Sequence, residues 1–279
     1  MNAAYFQDFQ RQGVAVVRGV FAAGEVAAMA KAFDCVHERG MAYPASFRDG
    51  NVLFRQGRDA NLGRVLRLVQ WPSYFEAMLD RVRKDPRILA ILAPLIGEDI
   101  KQIINQMHWK TPGAAATDFG FHQDIRFRRP REAYRNTLWS FVQTGIAIDP
   151  HGPDNGGMTF VPGSHRLGEL ELPCAGAIMD TPAMAEDLER FGLDPTQAIS
   201  LELEPGDVAL WNLYTVHGSH TNRSGIDRRF YVNGYVRADD CDRGAWTFRE
   251  GAPCTLGAPV LIHYDDLYRR PGPHYVEAA

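Results

Sequence analysis

The residues that point most directly to chemistry are Phe121-His122-Gln123-Asp124. In an extended segment, alternate side chains face the same side, so His122 and Asp124 present an imidazole nitrogen and a carboxylate oxygen together. These are two thirds of the facial triad that holds non-haem Fe(II) and leaves coordination positions open. Because this spacing also arises by chance in ordinary surface pairs, the hypothesis needs a third ligand from elsewhere in the chain.

A second histidine follows a predicted turn and a short strand. The turn contains Pro205-Gly206, the apolar strand Val208–Trp211 follows it, and His217 lies just beyond. Periodicity does not separate His217 from His220 as the metal ligand. Either imidazole also fits a core histidine that only makes hydrogen bonds.

Arg228 leads into a predicted apolar strand at residues 230–236. A guanidinium that enters a buried strand needs an anion. One candidate is a carboxylate of the protein itself. The other is 2-oxoglutarate, whose far carboxylate suits a bidentate arginine while its keto acid end chelates iron.

Three motifs occur in order along the chain. They are His122-Gln123-Asp124, then Asn155-Gly156 with Pro162-Gly163-Ser164-His165, then the run 217–228 with His217, Ser219, Asn222, Ser224 and Arg228. Together they resemble the phytanoyl-CoA dioxygenase family of Fe(II)- and 2-oxoglutarate-dependent oxygenases. The likeness extends from about residue 6 to residue 236 and includes the opening segment 9–17.

The resemblance implies a mainly β fold, a double-stranded β-helix or jelly roll that encloses the metal, buttressed by N-terminal helices. It implies that His122, Asp124 and His217 bind iron, in preference to His220. His165 is expected in a turn at the barrel mouth rather than on the metal.

The resemblance also implies residues that contact the cosubstrate. The four expected to bind 2-oxoglutarate are Arg228, Ser219, Gln106 and Thr144. Lys110 matches a family lysine and shares one face of a predicted strand with Gln106 and His108, so it is a candidate substrate residue. Polar side chains on a sheet face are the alternative interpretation.

Further substrate clues come from arginines directly after the first motif. They are Arg126, Arg128, Arg129 and Arg131. If the strand continues past Asp124, Arg126 shares its inward face and can meet a carboxylate, phosphate or phosphonate. A solvated basic loop is the alternative. Residues 47–56 are a candidate lid, and Trp211 is expected in the core rather than at the substrate.

The elements that must position these residues divide the chain near residue 100. Residues 1–99 are predicted to form a mainly helical cover, with helices at 6–12, at 22–36 and after Asp85, where Pro94 is a possible early end. Residues 100–237 are predicted as the jelly-roll core, with an inserted helix at 181–191, and residues 238–279 as a C-terminal extension. The predicted strands are 103–109, 137–148, 158–161, 199–203, 208–211 and 230–236. We expect a single domain.

Composition narrows the function. The chain has 279 residues, 45% of them hydrophobic, which is enough for a substantial core. A net charge of −4 gives no general attraction to nucleic acid or anionic membrane. The N-terminus resembles no secretory signal, and the four cysteines lack C-x-x-C spacing, so we expect a cytoplasmic enzyme without disulfides.

The sequence therefore predicts a dioxygenase that uses Fe(II), 2-oxoglutarate and O₂ on a small-molecule substrate. Hydroxylation of an unactivated C–H bond with release of succinate and CO₂ is the expected reaction. Desaturation, cyclisation, epimerisation or demethylation are alternatives with the same cofactors. Three rivals are an iron protein that does not use 2-oxoglutarate, a cupin-like isomerase and a non-catalytic β-barrel binding module.

Overall fold

Helices occupy much of the first hundred residues of the computed structural model, which describes residues 4–173, 185–258, 270 and 272–276. The helices are α1 (Ala4–Gln12), α2 (Ala23–Ala42), α3 (Ala77–Arg83), α4 (Pro86–Ile96) and α5 (Ala185–Glu189). Asp85 caps α4 as predicted, because its carboxylate accepts a hydrogen bond from the Arg87 amide at 2.9 Å. Pro94 does not end α4 early: the helix continues to Ile96 and stops at Gly97, which has a φ of 84°.

A large antiparallel sheet forms the centre of the fold, with eleven strands in the described part of the chain. The strands are β1 (Val14–Val17), β2 (Phe47–Asp49), β3 (Val52–Asp59), β4 (Gly63–Gln70), β5 (Ile100–Lys110), β7 (Phe141–Ala147), β10 (Val208–Trp211), β12 (Arg228–Arg237), β13 (Ala245–Arg249), β14 (Ala252–Pro253) and β15 (His274–Tyr275). They are ordered β1-β10-β7-β12-β5-β4-β3-β2-β15, while β13 pairs with β5 and β14. In the part β1-β10-β7-β12-β5, neighbouring strands are far apart in the sequence, as in a jelly roll, whereas β5, β4, β3 and β2 pair in consecutive order.

A smaller sheet of four strands completes the described β-structure. It contains β6 (Phe119–His122), β8 (Met158–Phe160), β9 (Ile199–Ser200) and β11 (His217–Ser219), in the order β6-β11-β8-β9. In the antiparallel pair β6 and β11, His217 lies directly opposite His122. The pairing of two distant segments therefore brings together the two histidines that the sequence singled out.

Side chains of the large sheet alternate between a helical cover and a cavity. On β12, Tyr231 and Tyr235 belong to the core that includes Phe33 of α2 and Ile91 of α4, and the Phe33 and Tyr231 rings meet edge to face at 6.1 Å. Phe230, which points the other way, lines the cavity. The predicted mainly β fold with a jelly-roll core and buttressing helices is confirmed.

The first 99 residues are a helical cover only in part. They also contain β1 and the strands β2, β3 and β4, which extend the large sheet beyond β5. The residue pattern barely indicates β3 and β4, because arginines and a glutamine interrupt the expected alternation in both strands. Of the helix predicted at 181–191, residues 185–189 are helical and 181–184 lie outside the described residues. The single-domain organisation stays a prediction.

Candidate metal and cosubstrate site

A cavity of about 400 Å³ lies between the two sheets and contains most of the predicted site residues. Gln106 and Phe230 of the large sheet line one side of it, and His122 and His217 of the small sheet line the other. Apolar side chains make up much of the remaining wall. Such a cavity, largely apolar with a few convergent polar groups, is typical of a small-molecule site.

The two histidines are oriented by their own backbone. The Nδ1 atom of His122 lies 2.8 Å from the Gly120 carbonyl oxygen, and Nδ1 of His217 lies 2.9 Å from the Thr215 carbonyl oxygen. Since a carbonyl only accepts, both Nδ1 atoms donate and both Nε2 atoms carry a free lone pair. Each Nε2 lies 3.8 Å from a different oxygen of Asp124.

Asp124 is held by two side chains from the large sheet. It begins a single 3₁₀ turn, Asp124–Phe127, directly after β6. The amide nitrogen of Gln143 donates to its Oδ2 at 3.0 Å, and the indole N–H of Trp211 donates to the same oxygen at 2.9 Å. One ligand atom from each of Asp124, His122 and His217 lies within 4.8 Å of the others. This arrangement suits one octahedral metal ion with open positions.

Electrostatics favours the protonation states that bind metal. Burial holds the pKa of His122 well below its usual value, so the imidazole is neutral at pH 7. Burial alone raises the pKa of Asp124, but the two histidines and the Gln143 hydrogen bond outweigh it and hold that pKa below its usual range. His122 and Asp124 therefore offer a neutral imidazole and a carboxylate to a metal ion.

Arg228 lies in the same cavity and is 2% exposed. One terminal nitrogen donates to the Gly156 carbonyl oxygen at 2.7 Å, whereas none of the described residues is a hydrogen-bond partner of its Nε. Burial lowers its pKa to about 9, which leaves it a cation at pH 7. Across the described ranges, no acidic side chain comes within 4.0 Å of this guanidinium, so the salt bridge considered from the sequence is not formed there.

Comparison with known proteins decides the family. The family model described as phytanoyl-CoA dioxygenase matches residues 9–230. The chain belongs to the phytanoyl-CoA dioxygenase family. A relative in Stutzerimonas stutzeri, named a probable alpha-ketoglutarate-dependent hypophosphite dioxygenase, is 28% identical over 86% of this chain and 80% of its own length.

Two solved structures show that this family member has the fold of other oxygenases. EctD from S. alaskensis, solved with 2-oxoglutarate and 5-hydroxyectoine, has a TM-score of 0.66 and 20% identity over 92% of this chain and 86% of its own. The epimerase SnoN, solved with Fe3+, alpha ketoglutarate and nogalamycin RO, has a TM-score of 0.60 and 22% identity over 93% of this chain and 95% of its own. The predicted family, enzyme class and cofactors are confirmed.

Of the four residues expected at the cosubstrate, Arg228 and two others lie in this dioxygenase's cavity, and one does not. Ser219 and Gln106 line the cavity. Thr144 is 1% exposed and lies on the opposite face of β7, where its hydroxyl donates to the Asn233 carbonyl oxygen at 3.1 Å. Alternation along the strand explains the correction, because Gln143 points into the cavity and Thr144 therefore points away.

Lys110 is also placed away from the substrate cavity. Its side chain is 1% exposed, and its Nζ donates to the carbonyl oxygens of Ser219 at 3.1 Å and His220 at 2.5 Å and pairs with Asp118 at 3.3 Å. Three acceptors use all three of its donors. Lys110 therefore fixes the chain after β11, and the expectation that it contacts substrate is corrected.

Arg126 does not share the inward face as expected, because β6 ends at His122 and a 3₁₀ turn follows. It lies instead beside a second cavity, which also touches His122, Arg129 and Glu169. Arg129 and Arg131 pair with Glu169, so this part of the basic cluster is balanced by an acid. Arg128 is fully buried.

The two other histidines near the motifs lie outside the triad. His165 is 1% exposed, and its Nε2 lies 3.2 Å from the Gln10 carbonyl oxygen. The side chain of His220 is exposed. This placement agrees with the preference for His217.

Several functional side chains were not expected from the sequence. Gln143 and Trp211 orient Asp124. Trp211 is in the core, as the sequence predicts, but its indole N–H also reaches the carboxylate. The sequence predicts a role for Thr144 and none for its neighbour Gln143. Arg48 and Arg55 line the cavity from β2 and β3, so the candidate lid at 47–56 is part of the cavity wall. Within the described residues, no helix is both long and apolar enough to cross a membrane. The cytoplasmic location and the absence of nucleic-acid and membrane partners stay predictions.

Proposed function

We propose that this dioxygenase holds Fe(II) through His122, Asp124 and His217. The observation that carries the proposal is that the Nε2 atoms of two histidines and a carboxylate with two hydrogen bonds converge on one point of a buried cavity. Two imidazoles and one carboxylate are the donor set that suits non-haem Fe(II). The hydrogen bonds from Gln143 and Trp211 occupy one oxygen of Asp124 and leave the other for the metal.

The same cavity fits 2-oxoglutarate. The orphaned Nε of Arg228 is a buried donor that needs an acceptor, and a carboxylate supplies one for a guanidinium. Ser219 of the small sheet and Gln106 of the large sheet line the same cavity and can donate hydrogen bonds to the cosubstrate. A binding module would not need both this cation and an intact triad.

The reaction we propose is hydroxylation of an unactivated C–H bond in a small organic substrate. Bound Fe(II), 2-oxoglutarate and O₂ supply the oxidising power, and 2-oxoglutarate leaves as succinate and CO₂. The chain contributes positioning: Arg228 orients the cosubstrate, and Phe230 with the other apolar wall residues keeps bulk water from the reacting carbon.

The test is succinate formation from 2-oxoglutarate in the presence of Fe(II) and O₂. We expect His217→Ala to lower it by more than about 100-fold, beyond the loss typical of an outer-shell change. His220→Ala is the matched control and keeps the wild-type rate, because that side chain is exposed. Equal rates in wild type and His217→Ala, or loss of the reaction only in His220→Ala, would refute the ligand assignment.

A further inference from the structure

A glutamine and a histidine on the cavity face of β5 are joined by a hydrogen bond. Gln106 and His108 are two residues apart on the strand, so their side chains lie on the same face, and both line the cavity that contains the triad. The Nε2 atom of His108 lies 3.0 Å from the Oε1 atom of Gln106. An amide oxygen only accepts, so Nε2 is the protonated nitrogen of this imidazole.

This hydrogen bond fixes which end of the Gln106 amide meets a ligand. Of the residues that the structure describes, His108 alone is hydrogen-bonded to the Gln106 side chain, and it uses the oxygen. Gln106 is only partly buried and lines the cavity, so its amide nitrogen is left with two N–H donors for a bound molecule. An amide held at its oxygen offers the cavity a donor, which is what a carboxylate needs.

The imidazole is held in one place and in one charge state. The ring centre of His108 lies 5.3 Å from that of Phe119 of β6, and the two planes are inclined by 51°. Burial, followed by the charges of Arg228 and Lys110, lowers the pKa of His108 to about 3. At pH 7 the ring is therefore neutral and has a single N–H, which it donates to Gln106.

The metal ligands are oriented by the same kind of contact. A carbonyl oxygen accepts from the Nδ1 atom of His122, and Gln143 donates to Asp124, so each ligand is held by a neighbour. A polar pair that served only the packing of the sheet would be enclosed by protein. Gln106 and His108 instead line the cavity, which favours a role in ligand binding.

We propose that His108 is a positioning residue for the cosubstrate, whose hydrogen bond to Oε1 directs the amide N–H groups of Gln106 toward a carboxylate of 2-oxoglutarate. The proposal rests on the proposed function, since it takes Gln106 as a residue that binds the cosubstrate. His108 acts through Gln106 and needs no contact of its own with iron or 2-oxoglutarate.

The experiment titrates 2-oxoglutarate into the anaerobic Fe(II) protein and follows the visible band of the chelate. His108→Phe keeps a ring against Phe119 but removes the N–H donor. It should raise the 2-oxoglutarate concentration at half-saturation by about three- to tenfold, as for the loss of one hydrogen bond. His220→Phe makes the same change at an exposed histidine and should match wild type. Circular dichroism checks that each variant is folded.

A double-mutant cycle separates positioning from an independent effect. Gln106→Ala should raise the half-saturating concentration by about tenfold, because it removes a hydrogen bond to a charged group. If His108 acts through Gln106, the double variant should stay within about twofold of Gln106→Ala, since the second change removes nothing further.

Conservative variants test whether the Nε2 donor is the part that matters. The amide nitrogen of His108→Gln takes the place of Nε2 and should bring 2-oxoglutarate binding to within about twofold of wild type. His108→Asn is too short to reach Gln106 and should bind as weakly as His108→Phe. This pair decides the question even if His108→Phe does not fold.

Two failures are distinguishable. If the wild-type protein forms no complex with Fe(II) and 2-oxoglutarate, the proposed function fails, and this inference fails with it. If the complex forms but Gln106→Ala or His108→Phe binds 2-oxoglutarate as tightly as wild type, only the positioning role is overturned. The same follows if the two effects multiply in the double variant, or if His108→Gln binds no better than His108→Asn.

Discussion

Single residues in this chain differ in how their buried charge is compensated. Arg83 is fully buried but donates to Asp80 at 2.7 Å and to the Cys254 carbonyl oxygen at 2.9 Å. Arg128 is equally buried, yet in the part of the chain that the structure describes none of its three nitrogens has a hydrogen-bond partner. Burial lowers the pKa of Arg128, and the charge of Asp124 opposes that effect. The two arginines should therefore differ in their contribution to stability.

Replacing each arginine by methionine tests this difference. Arg83→Met should lower the free energy of unfolding by about 1–3 kcal/mol, because it leaves buried acceptors without a donor. Arg128→Met should leave that free energy within about 1 kcal/mol of wild type or raise it, because an uncompensated buried charge is replaced by an apolar side chain. Urea denaturation of the metal-free protein measures both. Arg128→Met being the more destabilising variant would contradict the account.

The sequence predicted site residues where a motif or a strand spacing names them. His122, Asp124, His217 and Arg228 were singled out in this way, and they lie in one cavity. The prediction for Thr144 was wrong, because the pairing of β7 with its neighbouring strands decides which of its two faces lines the cavity.

Within the elements, the packing of β7 against β12 depends on one glycine. A Cβ atom at Gly145 would lie 2.0 Å from the ring of Phe230, the cavity residue whose ring centre is 5.8 Å from the Arg228 guanidinium. Gly145→Ala should lower the free energy of unfolding by about 1–3 kcal/mol through overpacking. Gly225, which has open space around it, is the control. Equal unfolding midpoints in urea for the two alanine variants would contradict this packing.

An ion-pair cluster ties α2 to α4. Arg87 lies 2.6 Å from a Glu25 oxygen and 2.8 Å from an Asp85 oxygen. The Arg87 hydrogen bond, with the Ala22 amide, lowers the pKa of Glu25 to about 2. Since the folded-state pKa is depressed, the stabilisation is fully present above the unfolded pKa, near 4.3, and is lost as pH falls toward about 2.

Glu25→Gln tests this pH dependence. At pH 7 the variant should be less stable by up to about 1 kcal/mol, because the pair is partly exposed and screened. The difference from wild type should stay constant down to about pH 4.5 and shrink below it. Urea denaturation of both proteins from pH 7 to pH 3 measures it. A difference that grows as pH falls would have the wrong sign.

Helices and strands were predictable where the residue types of a segment match the element that it forms. The cap at Asp85 and the strand Val208–Trp211 have the expected residue types, and both occur as predicted. The strands β2, β3 and β4 were missed because their cavity face carries arginines and a glutamine in place of apolar residues. Those polar side chains contribute to the cavity wall, so the departure from strand patterning coincides with function.

For the whole molecule, the site depends on strand pairings between distant parts of the chain. β6 pairs with β11, and β12 lies between β5 and β7. On the other edge of β7 lies β10, whose Trp211 donates a hydrogen bond to Asp124. Local periodicity contains no information on such pairings. The jelly-roll fold was therefore predictable from the order of the motifs, which resembles that of the family, and not from composition or spacing.

The measurement that tests the central claim most directly is visible absorption of the protein with Fe(II) and 2-oxoglutarate under anaerobic conditions. We predict the weak charge-transfer band of the chelate in wild type. In Arg228→Gln, half-saturation of the band should need about tenfold or more 2-oxoglutarate. Arg229→Gln is the control and should match wild type, because Arg229 pairs with Asp149. A wild-type protein that shows no band would contradict the account.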